Sequence, residues 1–188
     1  MSGFDTLRPF GAEVSSWADA VAHSSQVRRV FSAFPAAVGV LCADVGGVPL
    51  GIVATSLAVG VSYDPPMALF AVRRESSTWP SLQRASRIGI SILSEHQGMT
   101  CRQIASAHSA DRFSGVGLVR TDSGGLFIDG AVTWMDCSIA DSLRAGDHSI
   151  VTFLVHRVGH KTDARPLLFH NGGFPRIRFD DEAPEHHD

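Results

Sequence analysis

The sequence predicts a mainly β protein, built as a small antiparallel barrel with a few helical inserts. Short apolar segments recur at short spacing, and clusters of Gly, Pro, Asp and Ser separate them. Helical periodicity is confined to the N-terminal region and to short stretches between strands. The chain has 188 residues, 44% of them hydrophobic, which is sufficient for one domain with a substantial core. No G-x-G-x-x-G motif follows a strand, so a Rossmann nucleotide site is not expected.

Composition excludes several classes of function. The formal net charge is −3, which provides no electrostatic footprint for nucleic acid or for an anionic membrane. The three cysteines have no C-x-x-C spacing, so neither a disulfide framework nor a cysteine zinc site is expected, and no metal is predicted. No signal pattern and no apolar run of about 18 residues occurs, which predicts a cytoplasmic protein.

The domain organisation follows from the two ends of the chain. Residues 1–13 are predicted to be a flexible arm, residues 14–179 the folded domain and residues 180–188 a polar tail. A helical pattern runs over 15–34, and Pro35 ends it. The apolar residues that recur at helical spacing there are Val27, Val30, Phe31 and Phe34.

The strands are predicted from apolar runs between turn signals. Gly46-Gly47 is typical of a hairpin turn between the first two strands, and a polar loop over 141–147 separates the last two. The predicted strands are Val38–Ala43, Leu50–Ala54, Met67–Val72, Ile88–Leu93, Ala131–Ala140 and His148–His156.

Two helices are predicted between strands. Thr78 is a candidate N-cap for a short helix that contains Trp79. Ser94-Glu-His-Gln97 fits a capping box, which opens a helix to about Ala107 with His108 on its inner face.

The stretch from Gly51 to Pro66 carries the strongest sign of a ligand. A buried-looking strand runs into two hydroxyls, Thr55 and Ser56, and a double proline later turns the chain. Hydroxyls and open N–H groups at a strand end suit a phosphate, and small neighbouring residues let a flat ring approach the backbone. A hydroxyl-bearing strand followed by a turn explains the same residues without any ligand.

This stretch resembles the G-x-T-A-S-S-F…S-V-S…P-P signature of the flavin reductase-like family. The resemblance covers about Ser25 to Phe174, and its motifs occur in family order. The further motifs are Ser76-Ser-Thr-Trp79, Ile90-Ser-Ile-Leu-Ser-Glu-His-Gln97, Asp111-Arg-Phe113, Gly146-Asp-His148 and Arg165-Pro-Leu-Leu-Phe169.

The resemblance implies a fold and a function. The family fold is an FMN-binding split β-barrel, an antiparallel Greek-key barrel that is normally a homodimer with flavin near the subunit interface. The implied activity is that of an NAD(P)H-dependent flavin reductase, which supplies reduced FMN or FAD to a separate monooxygenase. The implied cofactors are therefore FMN or FAD, with NADH or NADPH as hydride donor.

The resemblance also implies which residues contact the cofactors. His148 is the catalytic candidate, since the family histidine lies near the nicotinamide side of the flavin. The implied cofactor-binding residues are Ala37, Val53, Ala54, Thr55, Ser56, Ser62, Ser77, Thr78, Ser91, Leu93, Gln97, Arg112, Phe113, Asp147 and His148.

Several of these positions have structural alternatives. Ser91 replaces a common family asparagine, and Ala37 replaces a glycine, so each contact depends on local geometry. Gln97 is explained at least as well by helix capping as by a ligand. The chain also has one residue more than the family spacing between Gly51 and Ser62, which a bulge would absorb. Either Thr55 or Ser56 is therefore a candidate for the phosphate.

Functional alternatives remain at this point. One is a split-barrel oxidase or oxygenase that uses flavin on its own substrate. Another is a flavin-binding protein without turnover, which the altered positions Ala36, Ala37 and Ser91 leave open.

Overall fold

The structure is a computed structural model, and it describes residues 24–106 and 111–177. The chain divides into two compact units at Phe34 and Pro35, and every described strand lies in the second. The predicted N-terminal arm and C-terminal tail, and also His108, lie outside the described residues. The prediction that residues 14–179 form one domain stays a prediction.

In the first unit, the described part is helix α1, Ser24–Ser32. The helix predicted over 15–34 is thus described from Ser24 and ends two residues before Phe34. Val30, Phe31 and Phe34 are exposed.

The second unit is built on a seven-stranded antiparallel sheet, which confirms the predicted mainly β class. The strand order is β3-β2-β6-β9-β10-β5-β4, so β3 and β4 are the terminal strands. These strands are β2 (Gly39–Val45), β3 (Val48–Ala54), β4 (Ala58–Tyr63), β5 (Pro66–Arg73), β6 (Ile88–Ile92), β9 (Thr133–Ala145) and β10 (His148–His160).

Four short strands complete the second unit, and none of them was predicted from the sequence. Each has only two or three residues, which is too short for a periodic pattern. They form two small pairs: β1 (Ala36–Ala37) with β11 (Leu168–Phe169), and β7 (Leu118–Arg120) with β8 (Leu126–Ile128).

The core lies in two clusters of buried side chains. Alternate residues of β5 and β10 point into the first cluster, in which Phe70 stacks on Phe153 at 5.6 Å between ring centroids and meets the edge of Trp79 at 5.1 Å. The second cluster includes Val38, Leu93 and Ile104.

The predicted hairpin turn and the predicted bulge have the expected geometry. Gly46 and Gly47 have positive φ angles of 66° and 85°, as a two-residue hairpin between β2 and β3 requires. The extra residue before Ser62 is accommodated by a register shift between β4 and β5, where Gly60 has a φ of 72°.

The prediction of a polar loop over 141–147 is wrong. β9 continues to Ala145 and β10 begins at His148, so only Gly146 and Asp147 remain as the turn. The outer part of β9 is exposed and polar, so it lacks the apolar alternation from which a strand is recognised.

Helix α2 starts where it was predicted, whereas α3 starts later. Helix α2 is Trp79–Leu82 with Thr78 at its N-cap position. The Thr78 side chain makes no capping hydrogen bond, and the Oγ of Ser76 instead accepts from the N–H of Trp79 at 3.2 Å. Helix α3 begins at Gly98 and ends at Ala105. The residues before it form a turn, because the N–H of Gln97 donates to the carbonyl of Ser94.

Candidate functional site

The candidate site is a cleft of about 620 Å³ where the ends of β3 and β5 meet the loop before α2. It brings together predicted residues from four separate parts of the sequence. Those that line it are Val53, Ala54, Thr55, Ser56, Ser77, Thr78, Arg112 and His148. A volume of this size lies within the usual range of small-molecule pockets, about 300–1,000 Å³.

The two adjacent hydroxyls at the end of β3 have different environments. The Oγ of Ser56 donates to the carbonyl of Ala71 at 2.8 Å and accepts from its N–H at 3.2 Å. Ser56 therefore ties the end of β3 to β5, a strand with which β3 does not pair. Thr55 is exposed and makes no side-chain hydrogen bond within the described residues, so its hydroxyl is the one available to a ligand.

This difference predicts opposite outcomes for two similar substitutions. Ser56→Ala removes both hydrogen bonds to Ala71, and we expect it to lower the free energy of unfolding by about 1–2 kcal/mol. The matched control Thr55→Ala removes no hydrogen bond within the described residues, so its cost should stay within about 0.5 kcal/mol. Urea unfolding of both variants measures this, and equal costs would contradict the assignment of the two hydroxyls.

A cationic side chain lies beside the second group of hydroxyls. The Arg112 Nη1 donates to the Oγ1 of Thr78 at 3.0 Å, and its Nε donates to the carbonyl of Ser106 at 2.9 Å. A guanidinium has five N–H donors, so three remain for an anion. Ser77 is exposed in the same wall, and its hydroxyl has no partner within the described ranges.

Gln103 holds the segment that carries Arg112. Its Nε2 donates to the carbonyls of Asp111 and Ser114, at 3.0 and 2.7 Å. This positioning role was not predicted from the sequence, because it depends on a contact between α3 and the following loop.

His148 lies at another part of the cleft, where β10 begins. It is the cross-strand neighbour of Arg73, and the N–H of Arg74 donates to the carbonyl of Asp147. The Nδ1 of His148 is 2.7 Å from the Oδ1 of Asp147, and 36% of the histidine side chain is exposed. The hydrogen bond and the nearby imidazole lower the pKa of Asp147 below its usual value.

The Asp147 contact defines the chemistry of the imidazole. When the carboxylate is ionised, it can only accept, so Nδ1 carries the hydrogen and donates a hydrogen bond to Oδ1. Nε2 is then available to a ligand in the cleft, as an acceptor or, when the ring is protonated, as a donor. Asp147 thus acts on the site through His148, and it does not line the cleft.

Other predicted residues lie outside this cleft. Ser91 is fully buried, and its Oγ accepts from the N–H of Ile128 at 3.0 Å, while Leu93 is a core residue. The Oε1 of Gln97 accepts from the N–H of Ser94, and its Nε2 donates to the carbonyl of Asp129. Gln97 therefore closes the turn before α3, and its side chain makes no capping hydrogen bond to the helix. These side chains have structural roles.

Ala37, Ser62 and Phe113 have different surroundings. Ala37 pairs with Leu168 in an extended strand with no positive φ, so alanine fits without the strain that a glycine conformation would impose. Ser62 lies on the terminal strand β4, beside Met67, and Phe113 packs against Gly51. None of the three lines the larger cleft.

Two charged cleft residues were not predicted. Both line the cleft: Arg73 is the last residue of β5, and Glu75 lies in the turn that follows it. Both residues follow the apolar run Met67–Val72. This change from apolar to charged residues at the end of a strand is the sequence signal by which they could have been recognised.

A separate groove lies on another face of the second unit. It has a volume of about 320 Å³, and its walls include Val119, Trp134 and Val158. It contains none of the predicted site residues. Within the described ranges, no cluster of three His, Cys, Asp or Glu residues could hold a metal ion.

Comparison with known proteins identifies relatives of known activity. A flavin reductase from Pseudomonas putida is 34% identical over 148 residues, which are 78% of this chain and 86% of that protein. The reductase subunit HsaB of a flavin-dependent monooxygenase from Rhodococcus jostii is 29% identical over 157 residues, covering 84% and 80% of the two chains.

A solved structure has the same fold over most of the chain. It is the NADH:FAD oxidoreductase SgcE6 of Streptomyces globisporus, in complex with NAD and FAD fragments. The TM-score is 0.82 at 31% identity, with 89% of this chain and all of that chain covered. The flavin reductase-like domain model matches residues 31–178. The predicted family and split-barrel fold are thereby confirmed, and the chain belongs to the flavin reductase-like domain family.

Proposed function

We infer that the chain is an NAD(P)H:flavin oxidoreductase that supplies reduced FMN or FAD to a separate monooxygenase. The observation that carries this inference is the assembly of Thr55, Ser77, Arg112 and His148 around one cleft. Family relatives that act as reductase subunits support the monooxygenase partner. FMN or FAD and NADH or NADPH are accordingly the cofactors.

The donor set of the cleft fits a flavin phosphate. Arg112 contributes a fixed positive charge with N–H groups to spare, and the hydroxyls of Thr55 and Ser77 are available as further donors. The backbone at Ala54 and Thr55 forms another part of the wall, where only small side chains stand beside it. These residues would hold the ring edge and the phosphorylated chain of the flavin.

The remaining chemistry needs positioning by the protein. A bound flavin accepts a hydride from the nicotinamide and passes the electrons on. His148 is placed to orient the nicotinamide through Nε2, while Asp147 fixes the ring through Nδ1. Because both reactants bring their own chemistry, the protein has mainly to hold them in line.

Flavin binding is the first test of this function. We expect saturable quenching of FMN or FAD fluorescence with a Kd of tens of micromolar or below, about −6 to −7 kcal/mol. Adding NADH then separates a reductase from a flavin binder without turnover, since only the reductase oxidises NADH at a useful rate. The absence of any saturable flavin signal would contradict the function.

We propose further that the protein is a homodimer. Met67, Leu69, Ile150 and Leu154 lie on the face of β5 and β10 opposite the core, and all four are only half-buried. The neighbouring terminal strand β4 exposes Val59, Val61 and Tyr63. A second copy would cover this apolar face and the unpaired edge. Light scattering at micromolar concentration should give twice the mass of the chain, and a monomer mass would contradict the proposal.

A cytoplasmic location is part of the same proposal. Cys42, Cys101 and Cys137 are all buried and unpaired, as is usual where thiols are kept reduced. Among the described residues, no helix is long and apolar enough to cross a membrane.

The cysteines should be chemically inert in the native protein. Burial raises the pKa of Cys137 to about 12 and also raises the pKa of Cys42, so both are thiols at neutral pH. We expect iodoacetamide at pH 8 to leave these two residues unmodified in the folded protein and to alkylate them after denaturation. Modification of Cys137 in the folded protein, detected by mass spectrometry, would contradict its inert assignment.

A further inference from the structure

The cleft that we assign to flavin has a smaller neighbour. The second cleft has a volume of about 320 Å³ and shares Gly51, Ser77, Thr78 and Arg112 with the first. Its remaining walls are Pro49, Leu50, Ser81 and Phe113. The two clefts are therefore separated by a wall whose polar groups face both.

The shared wall is suited to more than one phosphate. Arg112 has three N–H donors that the protein does not use, and the Ser77 hydroxyl has no partner among the described residues. A ligand with a single phosphate and its ring in the larger cleft would terminate at this wall. A pyrophosphate would instead lead such a ligand past Arg112 into the smaller cleft.

The smaller cleft has the character of a nucleoside site. Pro49, Leu50 and the half-buried Phe113 provide apolar and aromatic surface, while Ser81 adds a hydroxyl. Its volume lies at the lower end of the range for small-molecule pockets, as expected for part of a larger ligand. Flat bases bind well to such surfaces when a few polar groups fix their orientation.

We propose that the smaller cleft binds the adenosine part of FAD, so that FAD is the preferred flavin of this protein. The proposal rests on the flavin function inferred above. The ring of FAD lies in the larger cleft, its pyrophosphate at Arg112 and Ser77, and its adenosine between Phe113 and Ser81. FMN fills only the larger cleft and lacks the second set of contacts.

The chemical group that the smaller cleft would recognise is an adenosine phosphate, which NAD(P)H contains as well as FAD. FAD is favoured because its pyrophosphate joins the ring and the adenosine across the one wall that the two clefts share. The experiment must therefore separate the two sources.

The test compares FMN and FAD in wild type, in Ser81→Leu and in the matched control Ser86→Leu. Ser86 is exposed and lines neither cleft. Fluorescence titration of the wild type should give FAD a Kd at least about tenfold below that of FMN, which is about 1.4 kcal/mol. Filling the smaller cleft in Ser81→Leu should raise the Kd for FAD to that for FMN and leave the Kd for FMN within about twofold. Ser86→Leu should change neither.

A competition measurement in wild-type protein does not depend on the folding of a variant. We expect adenosine, which carries no phosphate to compete at Arg112 and Ser77, to raise the apparent Kd for FAD and not that for FMN. Equal affinities for FMN and FAD in wild type, or competition by adenosine against both flavins alike, would overturn the proposal. So would a Ser81→Leu variant that binds FAD normally but has a raised KM for NADH, since the cleft would then hold the nicotinamide dinucleotide. Failure of FMN and FAD alike to bind would refute the flavin function itself.

Discussion

Replacing Arg112 by alanine should weaken FMN binding by about 10- to 150-fold while changing riboflavin binding by less than about threefold. The range corresponds to the loss of a charge-assisted hydrogen-bond interaction of about 1.5–3 kcal/mol. Riboflavin lacks the phosphate, so it reports on the ring contacts alone. Fluorescence titration of both ligands measures the difference.

Two controls separate the charge of Arg112 from its structural contacts. The guanidinium also links Thr78 to the carbonyl of Ser106, so a thermal melt must accompany each titration. Arg112→Lys keeps the charge without the planar fork and should recover part of the FMN affinity. Arg120, an exposed arginine paired with Asp44, provides the matched alanine control outside the cleft. If Arg112→Ala weakened riboflavin and FMN equally, the phosphate assignment would be wrong.

Replacing His148 by alanine should lower kcat/KM for NAD(P)H by about five- to thirty-fold. The expected loss is one hydrogen bond of about 1–2 kcal/mol between the imidazole and the nicotinamide. Flavin affinity should remain nearly unchanged, because the phosphate donors lie at Arg112, Thr55 and Ser77. Stopped-flow reduction of pre-bound flavin measures hydride transfer directly.

The structural alternative for His148 makes a different forecast. A histidine that only supports the β9–β10 turn would, when replaced, lower the melting temperature and weaken flavin binding together. Asp147→Asn keeps the volume beside the ring but removes the carboxylate that holds Nδ1, so a smaller loss of hydride transfer is expected. Unchanged hydride transfer in a stably folded His148→Ala protein would remove His148 from the site.

Much of the fold was predictable because most strands have a recognisable local sequence pattern. Apolar runs bounded by glycine and proline defined six of the seven strands of the main sheet, but not β4. Gly46-Gly47 correctly marked the hairpin between β2 and β3. The polar ends of β9 and β10 were not predictable, since backbone pairing extends them beyond the core without any apolar face. The start of α3 was misplaced because Gln97 caps a turn, with Oε1 on the N–H of Ser94.

Which residues line the site was easier to predict than the role of each side chain in it. The motifs placed Thr55, Ser77, Arg112 and His148 at one cleft, although they are far apart in the sequence. Choosing between Thr55 and Ser56 required knowledge of Ala71, which pairs with neither residue in the strand ladder. The role of Ser91 likewise depends on a partner in β8, 37 residues away. Such contacts arise from the tertiary structure, so they cannot be predicted from a local sequence pattern.

The most direct test of the central claim is a crystal structure of the protein with FMN bound. We expect the phosphate within hydrogen-bonding distance of Arg112 and Ser77. The ring should lie against the backbone of Ala54 and Thr55. Flavin in the groove of Val119, Trp134 and Val158, or bound without contact to Arg112, would contradict this claim.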